Sequence, residues 1–232
     1  MKLAEIAFAT YIYSHMTNYD QSYQHLLDNT DQLDLNLDTH RKFLLEWLNA
    51  WGCRQFKTNF HDLASKEILE WYQSNHSQLF SPDKQLLLLS NSELGLVEKV
   101  YDNLVCRIIS QRKKKKSIDN ENVTIGPTGA AKILYALRPL ALIPWDVPMR
   151  IKFELDGSAR SYIKYLGIIR THIRELEREC VKYGFELSDL PNRLGRGKSS
   201  IVKLVDEYFW ITITNKCPIP TKPEISLWES WL

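Results

Sequence analysis

The sequence predicts an all-α protein. Apolar side chains recur every three to four residues along most of the chain, the spacing that places them on one face of a helix. Stretches of alternating polar and apolar residues are scarce, and no segment repeats. With 232 residues, 44% of them hydrophobic, the chain is long enough for one sizeable core. We therefore expect one compact helical unit.

The predicted helices follow from apolar stripes. The helix predicted at residues 162–183 closes at Gly184, a residue suited to the C-terminal cap. The helix predicted at residues 130–137 ends before Pro139. The segment WITIT, at the end of the helix predicted at residues 200–212, is also compatible with a strand. The stripes lie, in chain order, at residues 43–51, 63–72, 94–108, 130–137, 162–183 and 200–212.

Three segments carry no such stripe. Residues 111–123 (QRKKKKSIDNENV) and 191–199 (PNRLGRGKS) look irregular, because they are polar and rich in turn-forming residues. The proline-containing segment after Cys217 is predicted to be an extended tail held by Trp228 and Trp231.

The composition excludes several classes of protein. Lys and Arg number 30 against 28 Asp and Glu, so the net charge of +2 does not by itself indicate a nucleic-acid protein, although basic residues cluster at 112–116 and 160–203. The four cysteines show no CxxC spacing and the histidines no HxxxH spacing, which argues against a metal site. We found no signal peptide and no apolar run of the roughly 18 residues that a membrane helix needs. A cytoplasmic monomer with free thiols is expected.

The most informative segment is VTIGPTGAAKILYALRPLALIPWDVPMR, residues 123–150. Gly126 and Gly129 tolerate backbone conformations that other residues avoid, and Pro127 suits a first helical turn. Small residues at a helix start let a phosphate reach the free N–H groups. An ordinary loop-to-helix junction would have the same composition.

Asp146 stands alone between Pro144-Trp145 and Val147-Pro148. A partly desolvated carboxylate in this position is suited to stabilise positive charge that develops nearby. Asp before a proline-containing first turn is also a common N-cap. The same side chain can serve in both roles.

The order apolar-Gly-Pro-x-x-Ala, apolar helix, Pro-x-Asp-x-x-x-Arg resembles the helix-hairpin-helix DNA glycosylases, the superfamily of endonuclease III and the adenine-mismatch glycosylase. The resemblance implies two helical lobes with the active site in the groove between them. Lobe one would comprise about 40–137, including the hairpin at 108–137, and lobe two about 1–39 plus 138–232. Departures from the family are Thr124 in place of the first hairpin glycine, the polar SIDNEN segment, and the absence of the iron–sulfur cysteines.

The resemblance also implies the chemistry. Thr128 stands where bifunctional members carry their imine-forming lysine, and a hydroxyl cannot form an imine. A monofunctional DNA glycosylase is therefore implied, in which Asp146 stabilises an oxocarbenium-like sugar and helps water attack. Lys132, one helical turn beyond Thr128, is the alternative amine.

The predicted partner is double-stranded DNA. We expect Trp51, Arg54 and Trp145 to wall a pocket for a flipped base. No cofactor is required, although hairpins of this family can hold a monovalent cation. The residues predicted to contact DNA phosphate are Gly126, Thr128, Gly129, Lys132, Arg196 and Lys198.

Substrate identity stays open between an endogenous lesion and a hypermodified phage base. The segments WLNAWGCRQF, TGAAKILYALRP, IPWD and KLVDEYFWITIT look similar to a bacterial branch of glycosylase-like proteins associated with phage defence. Two other readings remain: a non-catalytic helix-hairpin-helix module that binds DNA, and a structural helical protein with no DNA role.

Overall fold

The computed structural model describes residues 1–113, 120–220 and 223–224, and these residues are mainly helical, as predicted. Two short strands form the antiparallel pair β1–β2. The elements are, in chain order, α1 (Leu3–Met16), α2 (Tyr19–Thr30), α3 (Asp38–Ala50), α4 (His61–Asn75), α5 (Asn91–Val105), β1 (Ile108–Lys113), β2 (Asn120–Thr124), α6 (Gly126–Leu137), α7 (Val147–Lys152), α8 (Ala159–Lys182), α9 (Leu190–Arg193), α10 (Ile201–Phe209) and a π-helical turn (Trp210–Thr214).

The six predicted stripes correspond to α3, α4, α5, α6, α8 and α10. The stripes do not include α1, because its apolar residues are spread around the helix and no single face stands out. Gly184, with φ of +76°, follows the last turn of α8 at the predicted cap position. The segment after α10 continues as the π-helical turn, so the strand alternative for WITIT is wrong.

The prediction that residues 111–123 are irregular is wrong for the part that the structure describes. Arg112 pairs with Glu121 across the two strands, and their side chains form an ion pair. Ser110, buried at the inner end of β1, donates a hydrogen bond of 2.8 Å to the carbonyl oxygen of Gln55. The lysines at 114–116 lie outside the described residues.

The other two segments need smaller corrections. Residues Leu190–Arg193 form one helical turn, and only the remainder of 191–199 is irregular, with Gly195 at φ of +65°. Trp228 and Trp231, expected to hold the tail, lie outside the described residues.

One continuous apolar core runs from Ile6 in α1 to Phe209 in α10. The central helix α8 packs against α5, α10 and α1. Helix α6 is buried along most of its length, from Gly129 to Leu137. Its first turn is therefore held on a rigid support.

The structure also bears on the thiols, on metal binding and on membrane insertion. The four cysteines are free thiols, as expected, and Cys53 and Cys180 are buried. Among the described residues, no group of three or more His, Cys, Asp or Glu is placed to hold a metal ion. No helix in the described ranges has the length and apolar character to cross a membrane.

Candidate active site

Asp146 is the N-cap of α7, and its carboxylate is held by donors from two elements. Its Oδ1 accepts a hydrogen bond of 3.0 Å from the backbone N–H of Met149. Its Oδ2 accepts one of 2.6 Å from the hydroxyl of Thr214, in the π-helical turn. The capping role is confirmed, and Thr214, 68 positions away in sequence, fixes the rotation of the carboxylate.

The first turn of α6 lies next to Asp146 because Trp145 connects them. The indole N–H of Trp145 donates to the carbonyl oxygen of Pro127 at 3.1 Å. The hydroxyl of Tyr101 lies 3.2 Å from the same oxygen and 3.2 Å from the carbonyl oxygen of Gly157. The chain therefore holds the glycine turn and the carboxylate in a defined relation.

Gly126 is the residue in this turn that needs to be glycine for its conformation, since its φ is +67°. Gly129 is buried, and a Cβ there would lie 2.9 Å from Nε2 of Gln55 and 3.1 Å from the ring of Phe56. Glycine at 129 thus serves close packing. Gly126 and Thr128 are partly exposed and remain the predicted phosphate contacts of the turn.

A cavity of about 460 Å³ opens beside Asp146, a volume typical of small-molecule sites. The predicted residues Trp51, Trp145, Thr128 and Lys132 all line it. Five further side chains that were not predicted as site residues also line it: Tyr13, Tyr19, Asp206, Trp210 and Thr214.

Aromatic rings from both the N-terminal and the C-terminal parts of the chain line the cavity. Trp51 is held by a 3.1 Å hydrogen bond from its indole N–H to the carbonyl oxygen of Tyr19. The rings of Tyr13 and Trp210 meet edge-on, with centroids 5.5 Å apart. Fixed aromatic faces of this kind suit a flat, apolar ligand.

One lysine, Lys132, lines this cavity, and a second, Lys203, lies against two of its aromatic rings without lining it. Lys132 donates a hydrogen bond to the carbonyl oxygen of Trp51, and its Nζ lies 5.5 Å from the Trp51 ring centroid. Lys203, which is 2% exposed, places its Nζ 4.1 Å from the ring centroid of Tyr13 and 2.8 Å from Oε1 of Glu207. Burial by itself lowers the pKa of Lys203, but Glu207 and other nearby negative charge hold this pKa above its ordinary value.

Asp206 faces the same cavity from α10. Burial raises the pKa of its carboxyl to about 7. The positive charge of Lys203 opposes this shift, whereas the negative charge of Glu207 adds to it. The cavity therefore holds two carboxyl groups in different surroundings: Asp146, held by two donors, and Asp206, nearly buried.

Two predicted residues lie away from this arrangement. Arg54 is exposed and is not among the residues that line the cavity, so its assignment to a base pocket has no support from this structure. The guanidinium of Arg196 is ion-paired with Asp20 and Glu207, each at 2.5 Å. Arg196 therefore neutralises the buried Glu207 and the partly exposed Asp20, and its predicted phosphate contact is not supported. Lys198 is exposed beside a second hollow lined by Tyr23 and Gln24.

The residues that the sequence analysis missed share one signal. Lys203, Asp206 and Glu207 are charged residues within the otherwise apolar helix α10, where each is buried. Charged side chains are almost never fully buried unless they are paired or functional. Thr214 offers no such signal, because its relation to Asp146 depends on the three-dimensional fold.

Comparison of the chain with models of protein families, with functionally curated proteins and with solved structures found no match in any of the three.

Proposed function

We propose that the protein is a monofunctional DNA glycosylase, which hydrolyses the bond between deoxyribose and a damaged or modified base extruded from double-stranded DNA. The observation that carries this proposal is the cavity that brings Asp146, Thr128, Trp51 and Trp145 together. Thr128, Trp145 and Asp146 belong to one segment of the sequence, whereas Trp51 lies far from them along the chain.

The proposed reaction is a hydrolysis. The bond from C1′ to the base nitrogen breaks, and the sugar acquires oxocarbenium character that the Asp146 carboxylate stabilises. Water then forms the new C1′–O bond and gives one proton to Asp146, and this proton ends on the nitrogen of the departing base, which regenerates the carboxylate. The products are the free base and an abasic site.

The proposed placement of DNA follows from the parts that surround the cavity. Its wall combines residues assigned to lobe one, Trp51, Thr128 and Lys132, with residues assigned to lobe two, including Tyr13 and Asp146. This is the arrangement expected of a groove between two lobes. The turn at Gly126 and Thr128 and the exposed Lys198 would contact phosphates on either side of the extruded nucleotide.

We further propose that the enzyme acts as a cytoplasmic monomer, and that its substrate is either a hypermodified base or an endogenous lesion. Glucosylated hydroxymethylcytosine in phage DNA is one such base, which would make the enzyme part of antiviral defence. An endogenous lesion is the other class. The volume of about 460 Å³ admits a base that carries a substituent.

The test is an excision assay on unmodified, lesion-containing and hypermodified phage DNA, followed by alkali to cut at abasic sites. We expect breaks in one class of DNA with wild-type protein, and a loss of roughly 10³-fold or more with Asp146→Asn. The matched control is Asp156→Asn. Asp156 also accepts one backbone bond (2.9 Å from Ser158 N) and one hydroxyl bond (2.6 Å from Ser161), but it does not line the cavity.

A borohydride arm of the same assay tests the amine alternative. A covalent protein–DNA adduct that forms with wild type and not with Lys132→Met would show an imine, and hence strand cleavage by Lys132. We expect no adduct, because the amine already hydrogen-bonds to the carbonyl oxygen of Trp51.

The second candidate function is a non-catalytic module that binds DNA. The capping bond from Asp146 to Met149 favours it, since that bond alone accounts for an aspartate at this position. Unbroken DNA throughout the panel, with binding retained at low salt, would support the module. Absence of any binding at low salt would exclude both functions.

A further inference from the structure

Asp206 is the one acidic side chain at the cavity that no other group in the described part of the chain holds. It is 5% exposed and lines the cavity. The described residues offer its carboxyl no hydrogen bond and no ion pair within 4 Å. Asp146, in contrast, has both oxygens engaged.

Its neighbours in α10 show that pairing was available to this helix. Lys203 binds Glu207 at 2.8 Å, and Arg196 reaches Glu207 from the loop before α10. Lys203 and Arg196 are thus paired with Glu207 and Asp20, and Lys132 donates to the carbonyl oxygen of Trp51. A carboxyl that is nearly buried without a partner is costly to the fold, and native proteins rarely retain one unless something else supplies the partner.

The cavity is the direction from which a partner can come. Asp206 is less exposed than Asp146 and lines the same cavity, so its carboxyl is the more shielded of the two from solvent. In either protonation state a carboxyl retains an acceptor oxygen. A flat ligand that reaches Asp206 therefore meets the aromatic rings of the cavity wall. The edge of the ligand that touches Asp206, its inner edge, meets an acceptor oxygen.

We propose that Asp206 is the specificity-determining residue of the cavity, and that it selects ligands whose inner edge presents an N–H or O–H donor. That the ligand is an extruded base rests on the proposed function. The inference adds the class of base, which is one with a hydrogen-bond donor at the edge that enters the cavity first. The Asp206 carboxylate disfavours bases that present only acceptors there, because two acceptors would face each other without a proton, and this preference weakens where the carboxyl is protonated and can donate.

Asp206→Asn and Asp206→Leu test the proposal. The first keeps the shape and adds a donor, and the second removes all polarity. With the preferred DNA of the panel under single-turnover conditions, we expect each to lower the rate of excision by roughly 10²-fold or more, and Asp206→Asn to shift the preference toward bases with acceptors at that edge. Asp156→Asn is the control that carries the same chemical change outside the cavity and should match wild type.

A binding measurement separates this inference from the proposed function. Free adenine, cytosine, guanine and uracil are titrated into carboxyl-¹³C-labelled Asp146→Asn protein, in which the proposed catalysis is removed, and the Asp206 carboxyl resonance is followed. We expect donor-bearing bases to move the resonance and Asp206→Leu to abolish their binding. If the Asp206 resonance moves but the wild-type protein excises no base, the proposed function is wrong and the role of Asp206 in binding is retained.

The opposite result is equally definite. If the Asp206 variants fold, bind the same free bases and excise from the same DNA as wild type, Asp206 is a buried charge of the fold only. The proposal also fails if no base moves the resonance of the folded wild-type protein. If both variants fail to fold, the resonance of the wild type alone decides between these outcomes.

Discussion

At the scale of single residues, the hydroxyl of Thr214 determines how Asp146 is presented. It donates to Oδ2 at 2.6 Å, while the cap bond occupies Oδ1. Thr214→Val keeps the shape and removes the donor, so we expect the carboxylate to rotate and excision to slow roughly 10- to 100-fold, the range for a hydrogen bond to a charged group. Single-turnover kinetics measure the effect.

Thr212→Val is its matched control. The Thr212 hydroxyl donates to the carbonyl oxygen of Tyr208 at 2.8 Å and makes no contact with Asp146. Equal losses in the two valine variants would show that Thr214 acts through the fold and not through the carboxylate.

Asp206 makes a second residue-scale prediction, about stability and pH. Burial raises its pKa to about 7 from the ordinary 3.8, so the folded protein binds a proton between these values that the unfolded chain releases. Its contribution to stability is full below about pH 4 and is lost as pH rises through 7. The charged and titratable groups that interact with it are Lys203, Glu207, Lys132, Asp146, Tyr13, Tyr135 and Tyr165.

Urea unfolding of wild type and Asp206→Asn between pH 4 and 8 measures this contribution. We expect the free energy of unfolding of the variant to gain on wild type as pH rises, by on the order of 4 kcal/mol at most. The difference between the two proteins cancels the carboxylates that titrate in both. A constant difference across the pH range would show that burial does not perturb Asp206.

At the scale of elements, the start of α6 is held by its neighbours. A Cβ on Gly157, whose φ is +92°, would lie 2.5 Å from Nη1 of Arg150 and 3.0 Å from Cγ of Pro127. Gly157→Ala therefore combines an unfavourable backbone conformation with a clash at the glycine turn. We expect it to lower the free energy of unfolding by roughly 1–3 kcal/mol and to weaken DNA binding.

Gly95→Ala is the control for this change. Gly95 lies inside α5, with no atom within 4 Å of an added Cβ and without positive φ. Alanine there should raise stability by roughly 0.5–1 kcal/mol. Thermal unfolding and DNA titration of both variants check the pair. A Gly157→Ala protein as stable as wild type would mean that the turn is less constrained than described.

Elements also show where sequence reasoning succeeds. Helices α3, α4, α5, α6, α8 and α10 were predictable because each buries one stripe against a common core. The strands were not, because β1 and β2 are polar and mostly exposed, and their register depends on pairing with each other and on Ser110 binding Gln55. Because these strands bury few apolar side chains, they show no regular alternation of polar and apolar residues in the sequence.

The same division holds for the site. Asp146 as a cap was predictable, since the bond to Met149 spans three residues. Thr214 was not, because its position depends on how the turn after α10 packs against α7, whereas Asp206 carried the signal of a charge within an apolar helix but nothing that placed it beside Asp146. The assignments of Arg54 and Arg196 find no support in the structure, because a basic residue in sequence does not show which way it faces or which acid it binds.

At the scale of the whole molecule, charge is nearly balanced, with a net charge of +2, so binding to DNA would depend on a few placed cations. We expect Lys198→Ala to weaken binding to all DNA sequences alike and to reduce the slope of log affinity against log salt by about 0.9, the effect of one phosphate contact. Titrations at several salt concentrations measure the slope.

Lys42→Ala, at an exposed lysine of α3, controls for net charge. An equal change of slope in both variants would mean that DNA responds to overall charge and not to the loop at Lys198.

The cavity draws its wall from Tyr13 near one end of the described chain and from Thr214 near the other, with Trp51 and Asp146 between them. The site therefore belongs to no single segment. A protease cut that released either α1 or the segment after α9 would open the cavity while much of the core remained. Integrity of the polypeptide at both ends, and not only the persistence of the core, is the condition for a functional cavity.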